Sequence, residues 1–183
     1  MGCVILNHID LPSSIVSIGE YAFCLSALNE INIPDSVTHV GKVAFSLCPH
    51  LTSFTIGTGL TEIADGMFGA SGLTNAVIPE GIKTIGTAAF STCKQLTKVT
   101  IPSTVTNIKA GAFEECPALS DVYYNGTTAQ WQAITVDSTH NEALSSATIH
   151  CTDNTISLMS LSAYSESSMP LINSLIETAP VTC

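Results

Sequence analysis

Positive charge is scarce in this chain of 183 residues. It contains five lysines and no arginine against 15 aspartates and glutamates, which gives a formal net charge of −10. Proteins that bind nucleic acids neutralise phosphate groups with lysine and especially arginine, and attachment to an anionic membrane needs the same side chains. The composition therefore argues against nucleic acid and against anionic membrane surfaces as partners.

Long apolar runs are also missing, although 45% of the residues are hydrophobic. No run approaches the roughly 18 apolar residues of a membrane-spanning helix, so no direct membrane insertion is predicted. The N-terminus, MGCVILNHIDLP, has neither the basic segment nor the apolar core of a signal peptide. It begins Met-Gly like a myristoylation signal, but Leu6 stands where serine or threonine is required. We interpret the chain as part of a longer protein.

Motifs of catalysis and metal binding are absent as well. The chain has no GxSxG, HExxH, phosphate-binding or dinucleotide-binding glycine motif. Its five histidines are scattered. His150 beside Cys151 is the only pair that suggests metal ligands, and no second pair completes a four-ligand site. The adjacent carboxylates Glu114 and Glu115 are interpreted as solvated. We therefore predict no enzyme activity, no catalytic residues, no metal site and no cofactor.

What the chain does contain is an internal repeat of 22–23 residues. Each copy carries one phenylalanine at the same place: Phe23, Phe45, Phe68, Phe90 and Phe113. The copy PEGIKTIGTAAFSTCKQLTKVTI, residues 79–101, has three apolar groups: Ile82 and Ile85, then Ala89 and Phe90, then Leu96, Val99 and Ile101. A repeat of this length predicts a solenoid in which neighbouring coils bury each other's apolar faces.

Each copy ends in an alternation of apolar and polar residues, which predicts a strand with one buried face. The predicted strands are residues 6–11, 28–33, 51–56, 73–78, 96–101 and 119–124. Proline follows four of them and ends the strand, because it has no N–H to donate. A second short extended piece, such as residues 82–85, and a tight corner at Ala-Phe complete the coil. We expect a β-rich solenoid with little helix.

Three of the seven cysteines share one repeat position. Cys48, Cys93 and Cys116 each stand three residues after the phenylalanine, where other copies have Ser26 and Ser71. Small side chains at one position indicate a crowded inward site. An odd number of cysteines without a CxxC pair argues against a disulfide framework. A Cys93–Cys116 disulfide remains the alternative, but strands stacked about 4.8 Å apart hold the side chains slightly too far apart, and free thiols are favoured.

The repeat resembles the BspA-type leucine-rich repeat, with units of the form Leu-x-x-Val-x-Ile-Pro-x-x-Val-x-x-Ile-Gly-x-x-Ala-Phe-x-x-Cys. Residues 96–116 carry this pattern as Leu96, Val99, Ile101, Pro102, Val105, Ile108, Ala112, Phe113 and Cys116. Lys109 replaces the glycine in this copy, and Ala64 replaces it in an earlier one. The resemblance implies a leucine-rich-repeat right-handed coil with a parallel sheet on each face and a small C-terminal capping segment.

We expect three parts. Residues 1–124 form the solenoid, with five full repeats and a partial first one; residues 125–153 form the C-terminal cap; residues 154–183 form an irregular tail or linker. In the cap, a short helix is predicted to start near Thr127 or Thr128, Trp131 to cover the open end of the core, and residues 147–151 to add one strand. Apolar residues after Pro170 predict a short amphipathic turn in the tail.

The outward positions of the strands form two columns. The first contains His8, Glu30, Ser53, Asn75, Lys98 and Asp121; the second contains Asp10, Asn32, Thr55, Val77, Thr100 and Tyr123. These columns are either a solvated face or a broad recognition surface, as solenoids often present. The candidate ligand-facing positions are His8, Glu30, Asn75, Lys98, Asp121 and Tyr123. Tyr123 is the best single anchor, because tyrosine is enriched among the residues that dominate interfaces.

The resemblance also implies a function. Proteins with this repeat occur in bacteria and some parasitic protists, often at the cell surface. The chain is therefore expected to be a non-enzymatic protein-recognition or adhesion module of a cell-surface or secreted protein, with its secretion signal and anchor outside this chain. The expected partner is a protein or glycan, including host extracellular macromolecules. The alternative is a structural spacer or scaffold that presents another domain.

Overall fold

A computed structural model describes residues 5–156, which contain thirteen short strands and two short helices. We number five coils by their phenylalanines, from coil 1 at Phe23 to coil 5 at Phe113. The elements are β1 (Ser17–Ile18), β2 (Glu30–Ile33), β3 (His39–Val40), β4 (Ser53–Ile56), β5 (Glu62–Ile63), β6 (Asn75–Val77), β7 (Thr84–Ile85), β8 (Lys98–Ile101), β9 (Asn107–Ile108), β10 (Asp121–Tyr124), α1 (Thr128–Gln132), β11 (Thr135–Val136), α2 (Glu142–Ser146), β12 (Thr148–His150) and β13 (Thr155–Ile156).

The strands form two faces of a solenoid. The first sheet face contains the pair β2–β4 and the sheet β6–β8–β10–β12, all parallel, and β13 joins β12 antiparallel. The second sheet face contains the pair β1–β3 and the sheet β5–β7–β9–β11, also parallel. The prediction of a β-solenoid with a parallel sheet on each face is confirmed. No helix in the described part of the chain is long and apolar enough to span a membrane.

The phenylalanine column forms the centre of the core. Phe45, Phe68, Phe90 and Phe113 have no exposed surface, while Phe23 in the first coil is half-buried. Successive rings lie nearly parallel with centroids 5.3–5.8 Å apart. Aromatic rings in such stacked arrangements add to the free energy of burial, so the column ties each coil to the next.

The strand ladder on both faces is interrupted between coils 2 and 3, but the core is continuous there. The ring of Phe54, in β4, lies 4.4 Å from the ring of Phe68 between centroids. The next coil has the small Ala76 at the matching inward position, and both residues are buried. A large side chain is thus followed by a small one, which keeps the interior filled without overpacking.

At the corner beside the phenylalanines, backbone hydrogen bonds run from one coil to the next. The Phe45 N–H donates to Met67 O at 2.9 Å and the Phe68 N–H donates to Ala89 O at 2.8 Å. The residues two before and two after each phenylalanine have left-handed backbone, with φ between 51° and 63°, and only Gly66 and Gly111 among them are glycines. We call residues 21–25, 43–47, 66–70, 88–92 and 111–115 the corner ridge.

The segment after β10 covers the last coil. Thr127 is the N-cap of α1 in a capping box with Gln130, as the sequence predicted, and Trp131 packs edge-on against Tyr124 at 5.3 Å between ring centroids. The fully buried Asn141 accepts a hydrogen bond from the Phe113 N–H at 3.1 Å. Its Nδ2 donates to Lys109 O at 3.0 Å and to Asp137 O at 2.7 Å. The backbone hydrogen bonds between successive corners form a ladder, and Asn141 ends this ladder at the place where a further coil would continue it.

Two predictions about the strands were wrong. The long strands begin two residues later than expected, because Leu51, Leu96 and Leu119 donate their N–H groups to turns that start at the preceding cysteine. Residues 6–11 form no strand in the structure; one hydrogen bond, from the Asn29 N–H to Asn7 O at 3.2 Å, joins them to the next coil. The amphipathic turn predicted after Pro170 lies outside the described residues.

Candidate functional site

The first sheet face brings together four of the six candidate residues. Asn75, Lys98 and Asp121 occupy paired positions on β6, β8 and β10. Tyr123 follows on β10 in the adjacent column, opposite Thr100 on one side and His150 on the other. The strands are paired in parallel, and inward and outward side chains alternate along each of them. The outward groups of neighbouring strands therefore lie in rows across the sheet. The sheet therefore presents them as one surface.

The other two candidates lie apart from this group. Glu30 is on β2, where it pairs only with Ser53, and that pair of strands is separated from β6 by the interruption of the ladder. His8 precedes the first strand, and its Nε2 lies 3.3 Å from Asp10 Oδ1, with both side chains well exposed. The structure does not place His8 or Glu30 beside the other four residues.

A compact cluster surrounds Tyr123. The His150 ring stacks on the Tyr123 ring with 4.6 Å between centroids and 14° between planes. Lys98 Nζ lies 5.6 Å from the Tyr123 centroid. Because β10 lies between β8 and β12, the lysine and the histidine approach opposite faces of the ring. Tyr123 is 38% exposed, although these two side chains lie against its ring. We call Lys98, Asp121, Tyr123 and His150 the tyrosine cluster.

Asp121 holds the cluster together. His150 Nε2 donates a hydrogen bond to Asp121 Oδ1 at 2.7 Å, and Ser120 Oγ donates to Asp121 Oδ2 at 2.7 Å. The pKa of Asp121 is lowered most by the hydrogen bond from His150 and next by the hydrogen bond from Ser120. The carboxylate therefore remains ionised and keeps the imidazole in position against Tyr123.

His150 was not among the candidate ligand-facing residues, because in the sequence it is only one of five scattered histidines. It is half-buried and extends the second outward column by one strand beyond Tyr123. The signal was available, because residues 147–151 were predicted as a strand and alternation places residues 148 and 150 on the outward face. His150 is also the residue whose pairing with Cys151 suggested metal ligands. Within residues 5–156, no three His, Cys, Asp or Glu side chains are grouped to hold a metal ion.

The inward cysteine position is occupied as the sequence predicted. Cys48, Cys93 and Cys116 are buried and free, and Ser26 and Ser71 are buried at the same position. Cys93 Sγ donates to Phe68 O at 3.2 Å, and Cys116 Sγ donates to Phe90 O at 3.1 Å. Burial raises the pKa of Cys93, and it raises the pKa of Cys116 to about 12. These thiols link coils by hydrogen bonds and are poor nucleophiles.

Alkylation of Cys93 and Cys116 is therefore expected to be very slow in the folded protein and fast once the protein unfolds. The thiolate is the reactive form of cysteine. Burial raises the pKa of both thiols, so little thiolate is present in the folded protein. Iodoacetamide labelling followed by peptide mass spectrometry, with and without denaturant, measures both rates. Cys24, which is only half-buried, is the control and should react faster than Cys93 and Cys116 in the folded state. A Cys93–Cys116 crosslink in protein that has met no added oxidant would contradict this prediction.

The fold and its exposed sheet define a class of protein, the leucine-rich-repeat solenoid with a polar sheet face. A family model described as BspA-type leucine-rich repeat region matches residues 1–120 in six copies. The chain belongs to this family, which typically comprises protein-binding or surface proteins. The predicted membership is confirmed.

Two solved structures support the same assignment. A leucine-rich cell surface protein of Faecalibacterium prausnitzii is 38% identical with a TM-score of 0.67, and the match covers 70% of this chain and 34% of that one. The leucine-rich repeat protein of T. pallidum is 30% identical with a TM-score of 0.54, covering 62% of this chain and 56% of that one. The chain thus spans about a third and about half of these two proteins. No curated protein matches the chain significantly.

Proposed function

We propose that this chain is a non-enzymatic recognition module that binds a partner protein through the first sheet face, in a cell-surface or secreted protein. The observation that carries the proposal is the tyrosine cluster, in which four side chains from three strands are held in fixed relative positions. Preorganised side chains lose little conformational entropy on binding. The cell-surface relative from F. prausnitzii supports the proposed location.

The geometry of Tyr123 favours a protein over a glycan as the partner. A sugar ring packs best against a free aromatic face, but His150 and Lys98 occupy the two faces of this ring. Tyr123 and Lys98 are both exposed, and a tyrosine hydroxyl and a lysine ammonium suit hydrogen bonds to carbonyl or carboxylate oxygens of a polypeptide. Asn75 extends this polar surface along the first column, and Glu30 and His8 are proposed as its outer margin.

The proposed contact is shallow and wet, because the outward columns carry few large apolar side chains apart from Tyr123 and Val77, which is 63% exposed. Interfaces of this kind depend on a small number of anchor residues and on water-mediated hydrogen bonds. A single copy of the module is therefore expected to bind weakly, and several copies on one surface would bind by avidity.

Replacing Tyr123 with alanine is expected to weaken binding about tenfold or more, and Lys98→Glu is expected to weaken it by a similar factor. The full chain is first screened against immobilised extracellular-matrix proteins and glycans, and dissociation constants are measured for each hit. Val136→Ala and Lys83→Glu are matched controls, because they change an exposed apolar residue on β11 and an exposed lysine before β7, both away from the first sheet face and the corner ridge. Neither control should change the affinity.

Three outcomes would count against the proposal. A specific hit whose affinity ignores both Tyr123→Ala and Lys98→Glu would move the site off the first sheet face. Binding confined to glycans would contradict the choice of a protein partner. No specific binding in a broad screen would favour the alternative function, in which the chain is a spacer that presents another domain.

A further inference from the structure

The corner ridge carries exposed apolar side chains on the first two coils only. Tyr21 and Leu25 flank Phe23 with 61% and 47% exposure, and Leu47 in coil 2 is 45% exposed. Val43, half-buried, occupies the position of Tyr21 in coil 2. The same two positions in coils 3, 4 and 5 hold smaller or polar residues, namely Gly66 and Ala70, Ala88 and Thr92, and Gly111 and Glu115.

The fold does not require these apolar groups. The positions have left-handed backbone, with φ of 55° at Tyr21, 62° at Leu25 and 60° at Val43. Residues other than glycine rarely adopt this region, and a β-branched residue found in it is an outlier. Glycine adopts it readily, as Gly66 does in coil 3. The hydrogen bonds between coils at these positions come from backbone N–H groups, which glycine or asparagine would also supply.

The opposite end of the ridge is acidic. Glu115 stands in coil 5 where Leu25 and Leu47 stand in coils 1 and 2, and Glu114 lies beside it with Oε1 3.7 Å from His140 Nδ1. Two lysines that precede ridge segments in the sequence already contact one carboxylate, because Lys42 Nζ lies 3.1 Å and Lys109 Nζ 3.8 Å from Asp65. The ridge thus changes from apolar to negatively charged along its length.

We propose that the corner ridge is a second binding surface, whose occupant is a basic amphipathic segment of a partner protein. Apolar side chains of the segment contact coils 1 and 2, and its lysines or arginines lie against Glu114 and Glu115. Three coil spacings of about 4.8 Å separate Leu47 from Glu115, so the two ends are about 14 Å apart. A helix spans this distance in about ten residues. The inference does not depend on binding at the tyrosine cluster.

A second copy of this chain does not fit the same description. The chain has five lysines and no arginine, and two of those lysines contact Asp65. Three large apolar side chains on two coils also give too little area for a stable dimer, which buries well over 1,000 Å² in typical cases. The sequence of the ridge therefore matches a short basic segment better than a copy of itself.

The test is a selection of phage-displayed random 16-residue peptides on the full chain, with counter-selection on the Leu25→Asn/Leu47→Asn variant. Asparagine tolerates left-handed backbone, so this variant removes the apolar groups without straining the corner, and its melting curve serves as a check of folding. We expect enriched peptides to combine at least two large apolar residues with at least two lysines or arginines. Synthetic copies should bind the variant at least tenfold more weakly.

Two further variants decide the remaining points. Glu114→Gln/Glu115→Gln should reduce affinity several-fold and flatten its dependence on salt, because the charge attraction is removed. Tyr123→Ala should leave peptide affinity unchanged. The proposal is overturned if no peptide distinguishes the full chain from the Leu25→Asn/Leu47→Asn variant, if enriched peptides lack basic residues, or if their binding responds to Tyr123→Ala instead.

Discussion

Replacement of Phe68 with alanine is expected to lower the free energy of unfolding by about 3–5 kcal/mol, the usual cost of emptying a buried aromatic site. Phe68 has no exposed surface, and its ring has three aromatic neighbours, with centroids 5.8 Å from Phe45, 5.6 Å from Phe90 and 4.4 Å from Phe54. Coils cannot move inward to fill the space, because backbone hydrogen bonds fix their spacing. Phe90→Ala is expected to have a cost in the same range.

Urea unfolding followed by circular dichroism measures this change, and Phe23→Ala is the matched control. Phe23 is half-buried in coil 1 and stacks on one ring only, that of Phe45, so its loss should cost clearly less. Because repeat proteins are stabilised by contacts between neighbours, Phe68→Ala should also broaden or split the transition. Unchanged melting temperatures for Phe68→Ala and Phe90→Ala would show that the phenylalanine column does not hold the coils together.

Replacement of Asn141 with leucine is expected to cost about 3 kcal/mol or more, although the two side chains are similar in size. The change leaves the Phe113 N–H and the carbonyls of Lys109 and Asp137 without the partner that each has now. A buried polar group without a partner costs about 1–3 kcal/mol. The loss should be greatest in coil 5, because its corner N–H groups have no further coil to bind.

Native-state hydrogen exchange is the measurement, because it reports local opening as well as global stability. The amide of Phe113 and the neighbouring amides of coil 5 should exchange faster in Asn141→Leu, while those of coils 2 and 3 change less. Asn107→Leu, an exposed position on β9, is the control and should have little effect. Equal stability of Asn141→Leu and the unchanged chain would contradict the role of Asn141 as the end of the ladder.

The sequence predicted the features that repeat. The phenylalanine register, the small residues at the cysteine position and the alternation in each strand recur in every coil, so errors at one copy are corrected by the others. The start of each strand was misplaced, because the leucine that begins the pattern is buried in a turn rather than in the ladder. An apolar residue in a sequence predicts burial, but it does not show whether that residue lies in a turn or in a strand.

Features that occur once were harder to predict. Asn141 lies in a polar stretch after the last repeat, and it is buried against the corner at Phe113, which is 28 residues earlier in the sequence. His150 was hidden by its neighbour Cys151, although its place in the outward column follows from alternation. The sequence does not indicate the interruption of the strand ladder between coils 2 and 3, apart from the change from the large Phe54 to the small Ala76 at the matching inward position. The division of the chain at residues 124 and 153 stays a prediction.

The most direct test of the recognition face is a side-by-side measurement of dissociation constants for a partner protein obtained in the screen. The chain is compared with Tyr123→Ala on the first sheet face and with Val136→Ala on β11 of the second sheet face, two side chains that are each 38% exposed. Tyr123→Ala should raise the Kd about tenfold or more, and Val136→Ala should leave it within about twofold, as surface changes outside an interface do. The reverse order, or no change in either variant, would contradict recognition through the tyrosine cluster.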